Sequence, residues 1–403
     1  MFWIAEQMVD FIYNGKITFL LVVWTLGLIN FSIFTYYFMK YKPYKNDFRI
    51  PVSVIVSTFK EKPDLFIKCL TSIKSQLRKD DEFFIVFDGE DLPLQKIAEG
   101  YGTVMVKSHG GKRSTLSFGC DQAHNEILVT IDSDTILCID CLDAIVMPFK
   151  DDKIGAVSAH QRIFDPDMNI ASKFADYNEL MAHDFIQKAT SSAGNVAVLF
   201  GRCLAVRSLV WKKISHTYQT RTFRGKRVES GDDNDITLLT IHEGYNTFMQ
   251  STAKVTSDCP RNFWKRLKQQ YRFNRSSVRV TIMDWIGKPN MILQAKLGFL
   301  NQIDAVIFPV LILVVWLEWI INIIYGNDSL IQLSAPVMLF LTGTTLFLTL
   351  TLHNLPLLEK RRDVWIWIVY VFYSWLIMNI IHLVSLLTIY KEDVQMIQYS
   401  RNE

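Results

Sequence analysis

The sequence predicts an α/β fold, with a doubly wound sheet enclosed between membrane-spanning helices, and three observations lead to that prediction. Between residues 47 and 260, short apolar runs alternate with segments of helical periodicity, as in repeated strand–helix units. Four nearly uncharged segments flank this region, each roughly 20 residues long and therefore able to cross a hydrocarbon core. The chain has 403 residues, 50% of them hydrophobic, enough for one globular domain plus several membrane helices.

The predicted strands are short continuous apolar runs, which are typical of strands covered on both faces. They lie at residues 52–59, 83–87, 104–106, 127–131 and 154–159. Segments of helical periodicity between them lie at residues 63–77, 116–123 and 142–149. Residues 195–206 are apolar and rich in small side chains, which fits either a strand or a loop. Ligands bind at the carboxyl ends of strands in such sheets, so Asp88, Asp132 and Asp134 should converge on one crevice.

The uncharged segments span residues 17–39, 305–325, 330–352 and 364–390. Trp and Tyr near their ends favour membrane helices, and residues 17–39 lack the small-residue cleavage site of a signal peptide. Basic residues flank the large domain, whereas the loop at residues 326–329 carries none. The positive-inside rule therefore predicts a multi-pass plasma-membrane protein with a cytoplasmic domain. Four spans leave the tail outside, but a last segment that breaks or re-enters would leave the tail in the cytoplasm.

These patterns divide the chain into five parts. They are an interfacial helix with the first transmembrane helix (1–46), the globular domain (47–260), interfacial amphipathic helices (261–298), C-terminal transmembrane helices (299–390) and a tail (391–403). The helix predicted at residues 261–279 interleaves basic and aromatic side chains just before a span. Lipid phosphates or a diphosphate are its expected partners, and nucleic acid is not. Six cysteines without a second Cys-x-x-Cys pair suit a reducing compartment rather than a zinc site.

Two carboxylates one residue apart, Asp132 and Asp134, close the fourth predicted strand. Their oxygens can hold a divalent cation, Mg²⁺ or Mn²⁺, against a diphosphate. A lone Asp-x-Asp is usually a solvated turn, but further chemistry-bearing residues accompany this one. They are Ser57 to Glu61, where a base and ribose would sit, Asp88, which suits a uracil edge, the cations Lys112 and Arg113, and the acidic pair Asp232–Asp233. His109 and His124 are interpreted as ordinary polar positions, because no paired ligand lies at metal spacing.

The most specific pattern is a series of short motifs in the second half of the domain. Gly231-Asp232-Asp233 is followed by Gly244-Tyr245, by Gln250-Ser251-Thr252-Ala253-Lys254, and by Leu267-Lys268-Gln269-Gln270-Tyr271-Arg272-Phe273. With these motifs, residues 52–273 resemble the membrane-integrated, inverting family-2 glycosyltransferases. The similarity is greatest to the hyaluronan synthases and the streptococcal type 3 capsular polysaccharide synthases. The resemblance implies a GT-A-type catalytic domain that uses UDP-sugars and Mg²⁺ or Mn²⁺.

The resemblance implies a donor side of the site. Its members would be Ser57, Glu61, Asp88, Lys112, Arg113, Asp132 and Arg272. Asp88 and Lys112 would contact the uridine, and Asp132 would contact the ribose or a phosphate. Asp134 would ligate the metal ion.

The resemblance also implies a general base, Asp233, with Asp232 beside it. A base of this kind takes the proton of the acceptor hydroxyl in an inverting displacement. The acceptor side would comprise Gly201, Gln269, Arg272 and Phe273.

The chain departs from the family pattern at several positions. Phe273 stands where the family has Trp, and Ser57 stands where it usually has Pro. The family's C-terminal Trp-Gly-Thr-Arg is not recognisable, and Arg401 would take its diphosphate role only if the tail is cytoplasmic. The predicted acceptor loop contains Leu199-Phe200 and leads to Gly201. Arg202 and Arg207 follow this loop and are candidates for pairing with a uronate carboxylate.

These observations favour a processive synthase that polymerises UDP-sugars into a β-linked polysaccharide, hyaluronan-like or made of glucose and glucuronate, and secretes it. Its partners would be UDP-sugar donors, the growing polysaccharide and the lipid bilayer. One alternative is a non-processive family-2 transferase that loads a sugar onto a polyprenyl-phosphate carrier, although such enzymes usually lack the acceptor motif at Gln269. A scaffold with an inactive domain is disfavoured by the intact Asp132, Asp134 and Asp233.

Overall fold

The computed structural model describes residues 25–286, 289–302, 310, 324, 365–367, 369–370 and 373–390. Four sequence-predicted features lie largely or wholly outside the described residues: the N-terminal interfacial helix, the spans at 305–325 and 330–352, and the tail with Arg401. Residues 25–40 form helix α1, which covers the second half of the first predicted span. Within the described ranges, no helix is both long enough and apolar enough to cross a membrane.

The strands follow the predicted apolar runs closely in the first half of the domain. They are β1 (Val52–Thr58), β2 (Glu82–Asp88), β3 (Thr103–Lys107), β4 (Ile127–Asp132), β5 (Thr135–Leu137), β6 (Ile154–Ile163), β7 (Cys203–Arg207), β8 (Thr222–Phe223), β9 (Lys226–Arg227) and β10 (Asn246–Ser257). Eight of them form one sheet in the order β3-β2-β1-β4-β7-β6-β10-β5, and β8 pairs with β9. The four strands that lead to the predicted crevice are therefore neighbours.

The sheet is mixed rather than wholly parallel. Strands β1 to β4 run parallel, as the strand–helix alternation predicts, and β6 runs parallel to β10. Strand β7 is antiparallel to both β4 and β6, and β5 is antiparallel to β10. Strand β7 overlaps the end of residues 195–206, for which the sequence left strand or loop open. The direction of a strand depends on the path of its connections, which the local residue pattern does not record.

Helices cover both faces of the sheet. They are α2 (Pro63–Lys74), α3 (Leu92–Ala98), α4 (Lys112–Asp121), α5 (Cys141–Val146), α6 (Ile170–Leu180), α7 (Lys188–Ser192), α8 (Ser208–Gln219), α9 (Asp232–His242), α10 (Phe263–Val280), α11 (Pro289–Gln294) and α12 (Asn379–Leu387). One stretch of π-helix, Met181–Gln187, joins α6 to α7. Side chains alternate between the faces along each strand, so Val54 packs with α2 and α5, and Ile55 packs with α4, α8 and α9.

Gly119 explains how α4 comes to lie so close to the sheet. A Cβ atom at this position would stand 2.6 Å from Cγ2 of Ile55 and 2.9 Å from Cγ2 of Val86, both far inside van der Waals contact. Only glycine permits the approach, and it fixes the helix on strands β1 and β2. The first residue of the helix, Lys112, is thereby held at the carboxyl edge of the sheet.

Helix α10 joins the globular domain to the C-terminal helical residues. The Asn262 side chain caps it by accepting hydrogen bonds from the backbone N–H groups of Trp264 and Lys265. The hydroxyl of Ser385, on α12, donates to the Tyr271 carbonyl at 3.3 Å. In addition, two aromatic residues of α6 form a cluster with three aromatic residues of the C-terminal part. The cluster comprises Phe174, Tyr177, Trp367, Tyr370 and Tyr373. The domain thus packs directly against the described part of the last predicted span.

Candidate active site

A small cavity lies at the carboxyl ends of β1 and β4, where the sequence predicted a crevice. The space between its lining residues is about 250 Å³, with the open solvent at its mouth included. Its polar lining comprises Ser57, Lys112, Thr130, Asp132, Gly201, Asp232 and Asp233. Ser57 and Asp132 are paired neighbours on adjacent strands. Asp232 and Asp233 arrive from the first turn of α9, about a hundred residues later in the chain. The structure therefore brings Asp132, Asp232 and Asp233 to one cavity, and Asp134 lies beside it, close enough to interact with Asp132 and Lys112.

Lys112 joins the two acidic pairs. Its Nζ atom lies 2.8 Å from Oδ1 of Asp132 and 2.9 Å from Oδ2 of Asp232. Burial alone would lower the pKa of the Lys112 ammonium, but the two carboxylates outweigh burial and raise the pKa above its usual value. Lys112 therefore stays charged in the cavity. A fixed cation at this point neutralises one carboxylate of each pair.

Asp134 occupies the turn between β4 and β5 and carries the excess negative charge of its pair. Burial, reinforced by the neighbouring Asp132, raises the pKa of the Asp134 carboxyl to about 6. Glu61 contributes further negative charge, and its Oε2 accepts a hydrogen bond from the Ser133 hydroxyl at 2.9 Å. The side of the cavity around β4 therefore attracts cations.

The carboxylates around β4 fit a divalent cation that is shared with a ligand. In the described part of the chain, no group of three or more His, Cys, Asp or Glu side chains is arranged to hold a metal ion alone. Mg²⁺ commonly binds through one or two carboxylates and completes its shell with waters and substrate phosphates. Asp134, with Asp132 beside it, supplies that kind of donor set.

Asp233 sits in the first turn of α9, opposite the loop that carries Gly201. Its Oδ2 accepts a hydrogen bond from the Gly201 backbone N–H at 3.3 Å. Burial, reinforced by Asp232, raises the pKa of the Asp233 carboxyl to about 6. The pKa of Asp232 moves the other way: burial would raise it, but Lys112 and Arg113 outweigh burial and lower it. One carboxyl of this pair is therefore held ionised while its neighbour titrates near neutrality.

Gly231 fixes where α9 begins. Its φ of 81° lies in the left-handed region that favours glycine. A Cβ atom here would also stand 2.1 Å from the Ser276 hydroxyl on α10. Acidic residues are stabilised at a helix N-terminus, which suits the two aspartates that follow. The Gly-Asp-Asp motif therefore sets both the position of its carboxylates and the close approach of α10.

Besides Lys112 and Asp132, three predicted donor residues lie at or near the cavity, and Arg113 does not. Ser57 lines it, Glu61 reaches its edge through Ser133, and Asp88 ends the neighbouring strand β2. Arg113 points away into the protein. Its guanidinium is fully buried, lies 2.6 Å from Asp235, and donates to the Ser230 carbonyl and to two other backbone carbonyls. Residue 113 follows Lys112 on a helix, so its side chain faces a different direction.

The α10 residues Gln269, Arg272 and Phe273 are not among the residues that line the described cavity. The Gln269 amide oxygen accepts a hydrogen bond from Arg266 at 2.6 Å. The Arg272 guanidinium lies over the Phe273 ring, 5.4 Å from its centroid, and that ring is partly exposed. Helix α10 comes closest to the site where its residue Ser276 lies against Gly231. These three side chains share helix α10, and their role in acceptor binding stays a prediction.

The sequence prediction for Arg207 as a partner of a uronate is wrong. Arg207 pairs with Ile127, the first residue of β4, so it lies at the opposite end of the sheet from the cavity. Its guanidinium bonds Glu126 at 2.6 Å and the Phe149 and Ile154 carbonyls. Arg202 lies closer to the site, where its charge lowers the pKa of Asp134 against the effect of burial.

Sequence reasoning missed a buried polar cluster beneath the acceptor loop. Glu179 lies 3.5 Å from Arg202 and 3.6 Å from His183. Burial would raise the pKa of the Glu179 carboxyl, but Arg202 and His183 outweigh burial and lower it to about 2. The His183 ring contacts the Phe200 ring, next to Gly201. The i, i+4 spacing of Glu179 and His183, which places both side chains on one face of a helix, was the available signal.

The sequence pattern of the family described as "Glycosyltransferase like family 2" matches residues 50–275. The chain belongs to this family and is a glycosyltransferase. Hyaluronan synthase from Streptococcus pyogenes serotype M3 is 26% identical over 278 residues, 64% of this chain and 66% of that protein. An N-acetylglucosaminyltransferase from Bradyrhizobium diazoefficiens is 26% identical over 249 residues, 60% of this chain and 51% of the relative. The match thus spans just under two-thirds of the hyaluronan synthase.

The fold is similar to that of a mannosyltransferase from Pyrobaculum calidifontis, solved in complex with GDP-Man and Mn²⁺. The TM-score is 0.59 at 18% sequence identity, over 90% of this chain and 98% of the other. This likeness confirms a GT-A-like mixed α/β fold, as the sequence predicted. The resemblance to family-2 glycosyltransferases is confirmed as well.

Proposed function

We propose that this glycosyltransferase is an inverting, processive polysaccharide synthase that uses UDP-sugars and secretes a β-linked polymer. The observation that carries the proposal is the cavity in which Lys112 joins Asp132 to Asp232. It leaves Asp134 and Asp233 as two partly buried carboxyls of unlike surroundings within one site. A transferase that works by direct displacement needs such a division, with one group for the leaving diphosphate and one for the acceptor proton.

Asp233 would act as the general base. The acceptor hydroxyl would donate its proton to the carboxylate of Asp233 as its oxygen attacks the anomeric carbon of the donor. The bond from that carbon to the UDP oxygen breaks in the same displacement, so the configuration inverts. The Gly201 N–H, which bonds Oδ2 of Asp233, would hold the carboxylate in place for this transfer.

The donor side would be formed by β1, β2, β4 and the start of α4. Asp132 and Asp134 would hold a Mg²⁺ or Mn²⁺ ion, which when bound supplies positive charge to the leaving diphosphate. Lys112 would add a second charge next to Asp132. The similar mannosyltransferase was solved with GDP-Man and Mn²⁺, which supports a metal ion and a nucleotide-sugar donor here. Ser57, Glu61 and Asp88 would border the nucleoside.

The acceptor side would lie between Gly201 and α10. We propose that Gln269 and Phe273 contact the acceptor sugars, and that Arg272 reaches the diphosphate. The contact between α10 and α12 supports a polymer path that continues toward the C-terminal helices. On this proposal the parts 1–46, 47–260, 261–298, 299–390 and 391–403 form a multi-pass plasma-membrane protein with a cytoplasmic catalytic domain. The identity of the relatives supports hyaluronan or a related glucuronate-containing polymer.

A donor screen on the purified full-length protein in detergent tests the proposal. UDP-glucose, UDP-N-acetylglucosamine and UDP-glucuronate would be supplied singly and in pairs with Mn²⁺ or Mg²⁺, and UDP release and product size followed. Long polymer from one pair of donors, absent with Asp233→Asn, is the expected result. Transfer of one sugar per added polyprenyl phosphate would instead identify a carrier-loading transferase. No turnover with any UDP-sugar would contradict the proposed donor class.

A further inference from the structure

We propose that Gln187 is a positioning residue for Asp233, on which it acts through the acceptor loop, residues 198–201. The inference rests on the proposed function, because it requires Asp233 to take the proton of the acceptor hydroxyl. No predicted sequence motif includes Gln187. The structure places it at the end of the π-helical stretch Met181–Gln187, which supports this loop.

Two residues of the acceptor loop contact the π-helical stretch. The carbonyl of Val198 accepts a hydrogen bond from Nε2 of Gln187 at 2.7 Å. The ring of Phe200 packs against the ring of His183, with the centroids 4.8 Å apart. One polar and one aromatic contact therefore hold this side of the loop.

The other two residues of the loop contact α9, the helix that begins with the acidic pair. The Leu199 N–H donates to the Thr237 hydroxyl at 3.0 Å, and the Gly201 N–H donates to Oδ2 of Asp233 at 3.3 Å. Thr237 lies one turn after Asp233, and its hydroxyl donates to the Asp233 carbonyl at 2.7 Å. The loop is therefore held between the π-helical stretch on one side and the general base on the other.

The contact between Gly201 and Asp233 tolerates little displacement. Backbone N–H groups usually lie within about 3.2 Å of their acceptors, so this bond is already at the long end of the range. A Cβ atom at Gly201 would stand 3.1 Å from Cβ of Asp233, so the loop backbone lies directly against this side chain. A retreat of the loop by about half an ångström would break the bond.

The Gln187 amide makes one polar contact with the described residues. Gln187 is 2% exposed, and its Oε1 atom is buried without a hydrogen-bond partner among them. An unpaired polar atom in a core is unfavourable, and an apolar side chain of the same length would avoid that cost. Its hydrogen bond to the Val198 carbonyl is therefore what the amide contributes at this position.

The stretch that carries Gln187 is firmly anchored. Phe185, two residues before Gln187, packs against three rings of α1, with centroid distances from 5.7 to 6.0 Å. Those rings belong to Phe31, Phe34 and Phe38. One part of the stretch thus packs on α1, while Gln187 holds the acceptor loop. Rigid support of this kind is what a positioning residue requires, and π-helical turns often occur at functional sites.

Gln250, on β10, provides a matched control. It is 0% exposed, and its Nε2 donates to the Tyr44 carbonyl at 2.8 Å. Both glutamines are therefore buried and donate to a backbone carbonyl of another segment. Gln250 is not among the residues that line the described cavity, and its partner is not part of the acceptor loop.

The test is steady-state kinetics of UDP release by the full-length protein in detergent, with the UDP-sugar pair that supports turnover. Gln187→Met keeps the length of the side chain but cannot donate to Val198. We expect kcat to fall about tenfold, with the KM for the donor within about twofold, because a displaced base slows the reaction without weakening donor binding. Gln250→Met is expected to keep the wild-type kcat, even where its Tm falls.

The pH profile gives a readout that a general loss of stability would not change. The Gly201 N–H lowers the pKa of Asp233, so loss of this bond should move the acid limb of kcat to higher pH. The other groups that act on Asp233 are unchanged in Gln187→Met. They are Asp232, which raises its pKa, and Lys112 and the Asn234 N–H, which lower it.

A double variant shows whether Gln187 acts through Asp233. In Asp233→Asn the base is already lost, so adding Gln187→Met should lower kcat by no more than about twofold. Thr237→Val removes the α9 contact of the same loop. It should reproduce the lower kcat and the shifted acid limb, which keeps the test open if Gln187→Met does not fold.

Two outcomes would overturn the inference while leaving the proposed function intact. One is wild-type kcat and acid limb in the folded loop variants. The other is an equal loss of kcat from Gln187→Met with and without Asp233→Asn, which would assign Gln187 to general support of the site. Wild-type turnover by Asp233→Asn alone would overturn both the proposed base and this inference.

Discussion

The two acidic pairs at the cavity are similar in sequence, but the fold gives them different surroundings. Asp132 and Asp134 lie in a turn after a buried strand, and Asp232 and Asp233 lie at the start of a helix. Lys112 bonds one member of each, Asp132 and Asp232. In each pair the member that Lys112 does not touch is partly buried, and its pKa is raised to about 6.

Among the described residues, Lys112 pairs only with Asp132 and Asp232, so Asp134 and Asp233 each lack a direct partner of positive charge at the cavity. Near Asp134, Glu61 and Asp132 add further negative charge, so a divalent cation is the species that would compensate it. Near Asp233, the Gly201 N–H and the neighbouring Asn234 N–H stabilise a single carboxylate, so a proton suffices. On the proposed function, the same residue type would serve a metal on one side and proton transfer on the other. Substitutions that act on one side only can test this division.

The largest effect is expected for Asp233→Asn. An amide cannot take the acceptor proton, so turnover should fall about a thousandfold, within the usual range for loss of a general base. UDP affinity should change little, because Asp232 still holds Lys112. UDP release and UDP binding would be measured together. Glu243→Gln, an exposed position just after the end of the same helix, is the matched control. Turnover within tenfold of the wild type would exclude Asp233 as the base.

A smaller loss is expected for Asp134→Asn, and it should appear in metal dependence. Removing one carboxylate ligand would weaken Mn²⁺-dependent UDP binding and lower turnover about a hundredfold. Calorimetry of UDP with Mn²⁺ and with chelator would separate the metal effect from the nucleotide effect. Asp140→Asn, in a turn beyond the adjacent strand β5, should behave as wild type. If the variant kept the wild-type response to Mn²⁺, Asp134 would not be a metal ligand.

Lys112→Gln removes the cation that the two pairs share. Loss of a charge-assisted hydrogen bond to the donor side should weaken UDP binding roughly tenfold. Lys112 lowers the pKa of both Asp134 and Asp233, so both would rise in the variant. A general base works only when deprotonated, so the acid limb of turnover should move to higher pH. A pH profile of UDP release would show this shift, and an unchanged limb would contradict it.

The smallest effect at neutral pH is expected for Asp232→Asn, and its direction is opposite. In the wild type, turnover should be constant above pH 7 and should fall about tenfold per unit as pH drops below about 6, the pKa of Asp233. After burial, the charge of Asp232 is the main cause of that raised pKa. Neutralising Asp232 should therefore move the acid limb of the profile to lower pH. A shift in the same direction as that of Lys112→Gln would break the comparison between the pairs.

Much of the site could be predicted from local sequence. Asp88 and Asp132 end strands that read as apolar runs, and parallel strands present their carboxyl ends on one edge. Gly231 and the two aspartates after it formed a recognisable motif at a helix start. For these residues, chain direction and element type were enough to place the side chain near its partners. The strand–helix alternation was enough for the fold class.

Arg113 and Arg207 show where this reasoning ends. Arg113 follows Lys112 directly and Arg207 follows Gly201 by six residues, but both guanidiniums turn away from the cavity, to Asp235 in one case and to Glu126 and backbone carbonyls in the other. Burying a guanidinium is costly unless it is paired, so its direction is decided by whichever acceptor the packing brings near. For Arg113 that acceptor is Asp235, more than a hundred residues away in the chain. No local pattern records such a partner.

The sequence by itself determined the family of this glycosyltransferase and the candidate groups for its chemistry: the acidic pairs, the lysine that begins α4 and the strand ends that present them. The tertiary structure decided where each group lies and what it contacts. It placed Lys112 between two carboxylates from distant segments, turned Asp88 inward beneath His109, and ran β7 antiparallel between β4 and β6. The physical reason is that residue type and local order fix charge and element. Ionisation and hydrogen-bond direction depend on burial and on distances of a few ångströms between remote residues.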